Sequence, residues 1–165
     1  MQNYKTNENI NNNLLFDKAT SDFILRIIQD RGYKQARQCI KDPFIIMHID
    51  YLHYLFPNAK FIYMIRDARS SAYYSLQKLN NSTFINKYLR EWYEFNNKVD
   101  EMCARIGAQY CLPVKYEDLV LYPEKILKRV IRFLGESWTN DLLKHQKYEI
   151  FLSESESTQV VCVYF

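Results

Sequence analysis

The sequence predicts an α/β fold in which a small parallel sheet is flanked by helices. Two short apolar segments, Lys60–Ile65 and residues 111–116, are rich in residues that favour strands and have the length of buried strands. The clearest helical pattern in the chain, residues 84–106, lies between them. A strand, a long helical crossover and a second strand are typical of a βαβ unit, whose strands run parallel.

The composition fits a single domain and excludes several functional classes. The chain has 165 residues, of which 48% are hydrophobic, and this is enough for one domain with a sizeable core. A net charge of +3 is too small to argue for a nucleic-acid or anionic membrane partner. The sequence has no glycine-rich phosphate motif. No apolar run approaches the ~18 residues of a transmembrane helix, and no signal-peptide pattern opens the chain.

The N-terminal third is predicted to contain two helices after a disordered lead. Residues 1–13 are polar and rich in asparagine, so we expect them to be disordered. Apolar residues then recur at helical spacing, at Phe16, Ala19, Phe23 and Ile27. Pro43 fits the first turn of a second helix, which is capped by Asp42 and runs to about Leu55.

Three further helices are predicted after the first strand, beginning with the stretch that follows Arg66 and runs to Leu79. Apolar residues at steps of three and four then mark one face of a long helix, at Phe84, Tyr88, Trp92, Phe95, Val99, Met102 and Ile106. We expect this stripe to belong to the core. Pro123 opens the last helix, whose apolar positions include Ile126 and Val130.

Two residues at the ends of the predicted strands are candidates for anion binding. Ligands of open α/β sheets bind beyond the carboxyl ends of the strands. Arg66 follows the first strand and precedes a helix, so its guanidinium and the helix N-terminus could together bind a phosphate. Tyr116 ends the second strand and should lie at the same edge. The alternatives are a surface arginine paired with Asp67 and a tyrosine packed in the core.

Histidines and cysteines show no spacing typical of a metal site. There is no CxxC pair, and the three histidines form no ligand pattern, so no metal is predicted. Cys103 and Cys111 bracket a short segment, where either a local disulfide or two free buried thiols fits the spacing. Asn80 and Asn81 begin overlapping N-x-[ST] glycosylation sequences, which agree with a secretory route.

Several segments, taken in order, resemble the middle of the tyrosylprotein sulfotransferases, also called protein-tyrosine sulfotransferases. They are IKDPF at residues 40–44, LFPNAKF at 55–61, IRDAR at 65–69 and YEDLVLYPE at 116–124. The resemblance covers roughly residues 14–161 and leaves residues 162–165 as an end that does not match the family. It implies a fold related to P-loop kinases that binds the donor 3′-phosphoadenylyl sulfate (PAPS), incomplete here at both ends.

The resemblance also implies which residues hold the donor. Arg66 corresponds to the family arginine that binds the 3′-phosphate, and Tyr116 to a tyrosine that contacts the nucleotide. The serine expected eight residues after Arg66 is replaced by Tyr74, with Ser75 one residue beyond. The arginine expected twelve residues after Arg66 is Lys78, which keeps the charge but loses the planar fork.

Other roles follow from the same resemblance. Lys41 corresponds to a catalytic lysine that stabilises the transferring sulfuryl group, and Ser153 lies in a stretch like the loop that closes over the nucleotide. Cys103 and Cys111 correspond to a family disulfide. Cys39 also corresponds to a paired cysteine, whose partner is expected upstream of this chain.

The implied reaction is a direct in-line transfer of the sulfuryl group of PAPS to a protein tyrosine, without a metal. A base takes the tyrosine proton, and cationic groups stabilise charge on the sulfuryl group and the leaving phosphate. The implied substrates are acidic tyrosine-containing proteins, and the implied assembly is a homodimer. The implied location is the Golgi lumen, with a membrane anchor outside this chain.

The parts of the family domain that this chain does not match leave an alternative open. The loop that cradles the 5′-phosphosulfate and the glutamate base are expected upstream, so we expect the chain alone to be inactive. The alternative is a truncated, non-catalytic relative that acts as a binding module. A PAPS sulfotransferase of small molecules is disfavoured because the LFPNAKF and YEDLVLYPE segments are closer to the tyrosyl branch.

Overall fold

Two parallel strands form the part of the sheet that the sequence predicted. The computed structural model describes residues 3–30, 39–41, 45–76, 83–144 and 161–164, with side chains for 13–29, 39–41, 45–73 and 85–144. Strand β2 (Lys60–Ile65) pairs in parallel with β3 (Cys111–Lys115), and Ile65 lies opposite Lys115. The crossover consists of helices α3 (Ala68–Leu76) and α4 (Thr83–Ile106). The predicted parallel α/β arrangement is confirmed.

Two further strands, which the sequence did not predict, complete a four-stranded mixed sheet. Strand β1 (Cys39–Lys41) forms one edge, and β4 (Val161–Tyr164) runs between β1 and β2, antiparallel to both. Because β4 is antiparallel to both neighbours, β1 and β2 run in the same direction. Segments of three or four residues are too short to show the alternation by which strands are recognised in a sequence.

Helices cover both faces of the sheet. The remaining helices are α1 (Asn3–Asp30), a 3-10 turn (Ile45–His48), α2 (Ile49–Leu55), α5 (Tyr116–Leu121), α6 (Pro123–Leu134) and a second 3-10 turn (Asn140–Leu143). On one face, α2 and α4 pack against Phe61 and Tyr63. On the other, α6 packs against Leu112 and Val114. This alternation of β2 and β3 side chains between two apolar layers explains why both segments are apolar throughout.

Two helix boundaries differ from the predictions. Helix α1 begins at Asn3 and so includes most of residues 1–13, where a disordered lead was expected. Adding residues to an existing helix costs less than nucleating one, and this favours extension of α1 into a polar segment. Tyr116 opens α5 instead of ending β3. Asp42 and Pro43, the predicted cap and first turn of a helix, lie outside the described residues.

The long helix α4 supplies the central packing element. Val99 and Met102 are buried, and Trp92 and Phe95 are half-buried, so the apolar stripe faces the core as predicted. One polar residue, Asn96, interrupts this face and is also buried.

Candidate anion site at the carboxyl edge of the sheet

Arg66 and Tyr116 meet at the carboxyl edge of the β2–β3 pair. Because Ile65 and Lys115 are register partners, the residues that follow them leave the sheet side by side. The guanidinium carbon of Arg66 lies 5.0 Å from the centroid of the Tyr116 ring, within the range of a cation–π contact. Tyr116 is 39% exposed, so it is a surface residue and not the packed core tyrosine of the alternative interpretation.

Asp67 caps the helix that follows Arg66. Its Oδ1 accepts the backbone N–H groups of Arg69 at 2.8 Å and of Ser70 at 3.3 Å, as expected for an N-cap aspartate. The Arg69 guanidinium binds both carboxylate oxygens, from Nε at 3.2 Å and Nη2 at 2.8 Å. The Arg69 side chain and these backbone donors hold the pKa of Asp67 well below its usual range.

The cap changes which groups at this edge could bind an anion. The sequence predicted that backbone donors at the start of α3 would contribute, but Asp67 already occupies the N–H groups of Arg69 and Ser70, so this expectation was wrong for them. The local ion pair is also Asp67–Arg69, at 2.8 Å, and not the Arg66–Asp67 pair considered from the sequence. Within the described residues, no carboxylate forms an ion pair with Arg66. Arg66 is half-buried, and an arginine in this state can bind an anion through charge-assisted hydrogen bonds.

A carboxylate that sequence analysis missed joins the two turns of this edge. Glu117 Oε1 accepts the backbone N–H of Asp67 at 2.9 Å, although the two residues are 50 positions apart in the chain. Glu117 directly follows Tyr116, and Asp67 directly follows Arg66. The turns after β2 and β3 are thus connected twice, by this hydrogen bond and by the stacked pair. The only sequence signal was the position of Glu117 inside the YEDLVLYPE segment.

Lys41 lies on a different strand and does not reach this edge. It is the last residue of β1, and the register aligns Lys41 with Cys162 and Cys162 with Ile62. Lys41 is exposed and lies two strands away from β2, a lateral backbone separation of roughly 10 Å at the usual strand spacing. Lys41 is therefore level with Ile62, three residues before the end of β2, and the structure does not bring it against Arg66.

The other predicted donor-binding residues are not tested by the geometry. Tyr74 and Ser75 fall within α3, and their side chains lie outside the described part of the structure. Lys78 and Ser153 lie outside the described residues, as do the predicted glycosylation acceptors. Their roles stay predictions.

Disulfide bonds stabilise the scaffold behind the site. Cys103 and Cys111 are bonded, with their Cα atoms 5.3 Å apart, so the end of α4 is joined to the start of β3. The pairing implied by the family resemblance is therefore confirmed. Cys39 is also disulfide-bonded, which differs from the expectation that its partner lay upstream.

Comparison with known proteins decides the family. The sequence matches the model of the sulfotransferase family over residues 2–140. The chain belongs to the sulfotransferase family. As a sulfotransferase it is 38% identical over 138 residues to protein-tyrosine sulfotransferase 2 of Gallus gallus, an alignment that covers 81% of this chain and 37% of the relative. The resemblance to protein-tyrosine sulfotransferases is confirmed.

Two other sulfotransferases give the same result. Identity to protein-tyrosine sulfotransferase A of Caenorhabditis elegans is 37% over 166 residues, covering 94% of this chain and 42% of the relative. Identity to the protein-tyrosine sulfotransferase of Drosophila melanogaster is 32% over 139 residues, covering 81% of this chain and 28% of the relative. This sulfotransferase chain thus spans less than half the length of these relatives.

The described residues include no group of three or more histidine, cysteine, aspartate or glutamate side chains placed to hold a metal ion. Within the same part of the chain, every helix is too short or too polar to cross a membrane.

Proposed function

We propose that the protein is a protein-tyrosine sulfotransferase, which transfers the sulfuryl group of PAPS to tyrosine residues of proteins. The observation that carries the proposal is the position of Arg66, stacked on Tyr116 at the carboxyl edge of two parallel strands and without a carboxylate partner among the described residues. This is the edge at which open α/β sheets bind their ligands. The family match over residues 2–140 supports a sulfuryl donor as that ligand.

The residues of this chain have separate roles in the proposed reaction. Arg66 binds the 3′-phosphate of PAPS through two charge-assisted hydrogen bonds, and the Tyr116 ring holds the guanidinium in place. Lys41 approaches from β1 and stabilises negative charge on the sulfuryl group as it moves to the tyrosine oxygen. When bound, PAPS supplies the activated sulfuryl group. Lys78, Ser153 and either Tyr74 or Ser75 are proposed to complete the donor site.

The proposed setting is the lumen of the Golgi apparatus. The disulfide between Cys103 and Cys111 supports an oxidising compartment. The proposed substrates are acidic tyrosine-containing proteins, and a homodimer is the proposed assembly. Glycosylation at Asn80 or Asn81 would agree with the same route.

Binding of adenosine 3′,5′-bisphosphate (PAP), the desulfated product of PAPS, tests the proposal by calorimetry. Arg66→Ala should lose roughly 1.5–3 kcal/mol of binding free energy, the usual effect of losing a hydrogen bond to a charged group. Arg105→Ala is the matched control, because it removes the same charge from another arginine. Arg105 lies in the last turn of α4 and pairs with Asp50 of α2. Equal affinity of the wild-type protein and Arg66→Ala would overturn the assignment.

A sulfation assay distinguishes the enzyme from the binding module. Because the 165-residue chain alone is expected to be inactive, the assay uses this chain joined at its N-terminus to the phosphosulfate loop and base of a relative. That protein is incubated with labelled PAPS and an acidic tyrosine peptide, beside Lys41→Ala as the inactive control. Labelled peptide that depends on Lys41 supports the transferase. PAP binding without labelled peptide supports the non-catalytic relative.

A further inference from the structure

We propose that Glu117 is a positioning residue for the anion site, which keeps the Arg66 guanidinium over the Tyr116 ring by fixing the turn between β2 and α3. The inference rests on the proposed function, since it concerns the residue that would bind the 3′-phosphate. Glu117 itself does not touch the anion in this proposal. It acts through the backbone of Asp67, whose N–H it accepts at 2.9 Å.

Glu117 supplies an acceptor for the Asp67 N–H, which no helix or strand hydrogen bond provides. Asp67 lies between β2, which ends at Ile65, and α3, which begins at Ala68, so its N–H belongs to neither element. The Asp67 carboxylate accepts the backbone N–H groups of Arg69 and Ser70 in the first turn of α3. The carboxylate of Glu117 accepts the remaining N–H, and a hydrogen bond to an ionised acceptor is roughly twice as strong as a neutral one.

The bond and the stacked pair hold the same two turns together. Arg66 and Asp67 are neighbours in one turn, and Tyr116 and Glu117 are neighbours in the other. Without Glu117, the connection between the turns would depend on the cation–π contact, at 5.0 Å from guanidinium carbon to ring centroid. An exposed contact of this kind contributes little on its own. The Arg66 side chain would then sample more rotamers and bind an anion at a higher entropic cost.

A direct electrostatic role for Glu117 predicts the opposite result. A carboxylate near a phosphate site repels the ligand, so neutralising it would strengthen binding. Glu117→Gln separates the two explanations, since its amide oxygen can still accept the Asp67 N–H while the charge is lost. Glu117→Asp keeps the charge but has a side chain one carbon shorter, which places its oxygens out of reach.

The test measures the affinity for PAP in the full 165-residue chain. We expect Glu117→Ala and Glu117→Asp to bind PAP about tenfold more weakly than the wild type, the effect of losing one charge-assisted hydrogen bond. Glu117→Gln should restore most of that loss. Glu124→Ala, which removes an exposed carboxylate paired with Lys128 on α6, is the control. Affinity that is unchanged in Glu117→Ala, or higher in both the Ala and Gln variants, would overturn the inference.

Amide hydrogen exchange gives a second readout that does not need the ligand. The Asp67 N–H should be protected in the wild type and in Glu117→Gln, and should exchange about tenfold faster in Glu117→Ala. Equal exchange in all three proteins would also overturn the inference. If the wild type binds no PAP, the proposed function fails, whereas the Asp67 exchange rates still decide whether Glu117 holds the turn.

Discussion

The Arg66 guanidinium lies over the Tyr116 ring in a cation–π contact, with 5.0 Å between the guanidinium carbon and the ring centroid. The contact joins residues from two adjacent strand ends that are far apart in the sequence. It gives the candidate phosphate-binding arginine a fixed direction, since a planar guanidinium over a ring has few ways to rotate. The aromatic ring, more than the tyrosine hydroxyl, is therefore the functional part of Tyr116 in this arrangement.

Substitutions of Tyr116 should distinguish the contribution of its ring to PAP affinity from that of its hydroxyl. Tyr116→Ala should weaken PAP binding two- to fivefold, or roughly 0.5–1 kcal/mol, the strength of an exposed cation–π contact. Tyr116→Phe keeps the ring and should bind like the wild type. Tyr122→Ala removes another exposed tyrosine nearby and serves as the control. Equal losses in the Phe and Ala variants would show that the hydroxyl carries the contact.

The cap at Asp67 should make stability depend on pH. The pKa of Asp67 is lowered in the folded protein, chiefly by the Arg69 side chain and then by the backbone N–H of Arg69. A lowered pKa means that the stabilisation is complete above the unfolded-state value of about 4 and is lost as the pH falls toward the folded-state value. The free energy of unfolding of Asp67→Asn should therefore differ most from the wild type near neutral pH.

Urea denaturation at a series of pH values measures this difference. The gap between the wild type and Asp67→Asn should narrow below about pH 4, because the unfolded state then binds a proton at Asp67 while the folded cap stays ionised. A gap that stays constant down to pH 3 would contradict the assigned cap.

A buried hydrogen bond between β2 and α4 should contribute measurably to stability. The hydroxyl of Tyr63, which has no exposed surface, donates to Oδ1 of Asn96, and burial raises the pKa of Tyr63. Asn96 Nδ2 donates to the Trp92 carbonyl at 2.6 Å. Tyr63→Phe leaves the Asn96 oxygen buried without this donor and should cost about 1–3 kcal/mol of unfolding free energy. Tyr93→Phe, at an exposed position of the same helix, should cost little.

Chemical denaturation of the single variants and of Tyr63→Phe with Asn96→Leu completes the test. The double variant should recover part of the loss, because both polar groups are then removed together. Additive losses would mean that the two side chains do not interact.

The disulfide between Cys103 and Cys111 should stabilise the junction of α4 and β3. Both residues are buried, and their peptides should be linked in a non-reducing digest of protein expressed through the secretory pathway of eukaryotic cells. The Cys103→Ala, Cys111→Ala double variant should lose roughly 2–4 kcal/mol of unfolding free energy. A thermal midpoint that is insensitive to reductant in the wild type, and equal in the variant, would argue against the bond.

The sequence was sufficient to predict those elements whose pattern lies within one continuous segment. The stripe that includes Val99 and Met102 predicted α4, and the apolar run Lys60–Ile65 predicted β2. The shared edge of Arg66 and Tyr116 followed from one rule, that parallel strands end on the same side. Asp67 was interpreted as a partner of Arg66, although its position immediately before α3 is itself a capping signal.

The features that were not predicted depend on contacts between segments far apart in the chain, and no local sequence pattern indicates them. The Glu117–Asp67 hydrogen bond joins residues 50 positions apart, so it forms only once β2 and β3 are paired. Strands β1 and β4 consist of three and four residues, and their pairing with each other spans most of the chain. No periodicity within either segment could indicate its partner.

The position of β4 makes assembly of the sheet depend on the order of protein synthesis. Translation delivers β2 and β3 early enough for them to pair as a unit, since only the crossover separates them. β1 precedes both, yet its neighbour in the described sheet is β4, which leaves the ribosome last of the four. The backbone groups that β1 presents to β4 therefore stay available to other strands or to chaperones until β4 has been synthesised. The emergence of β4 from the ribosome, and not the synthesis of β1 itself, sets the time at which these two strands pair.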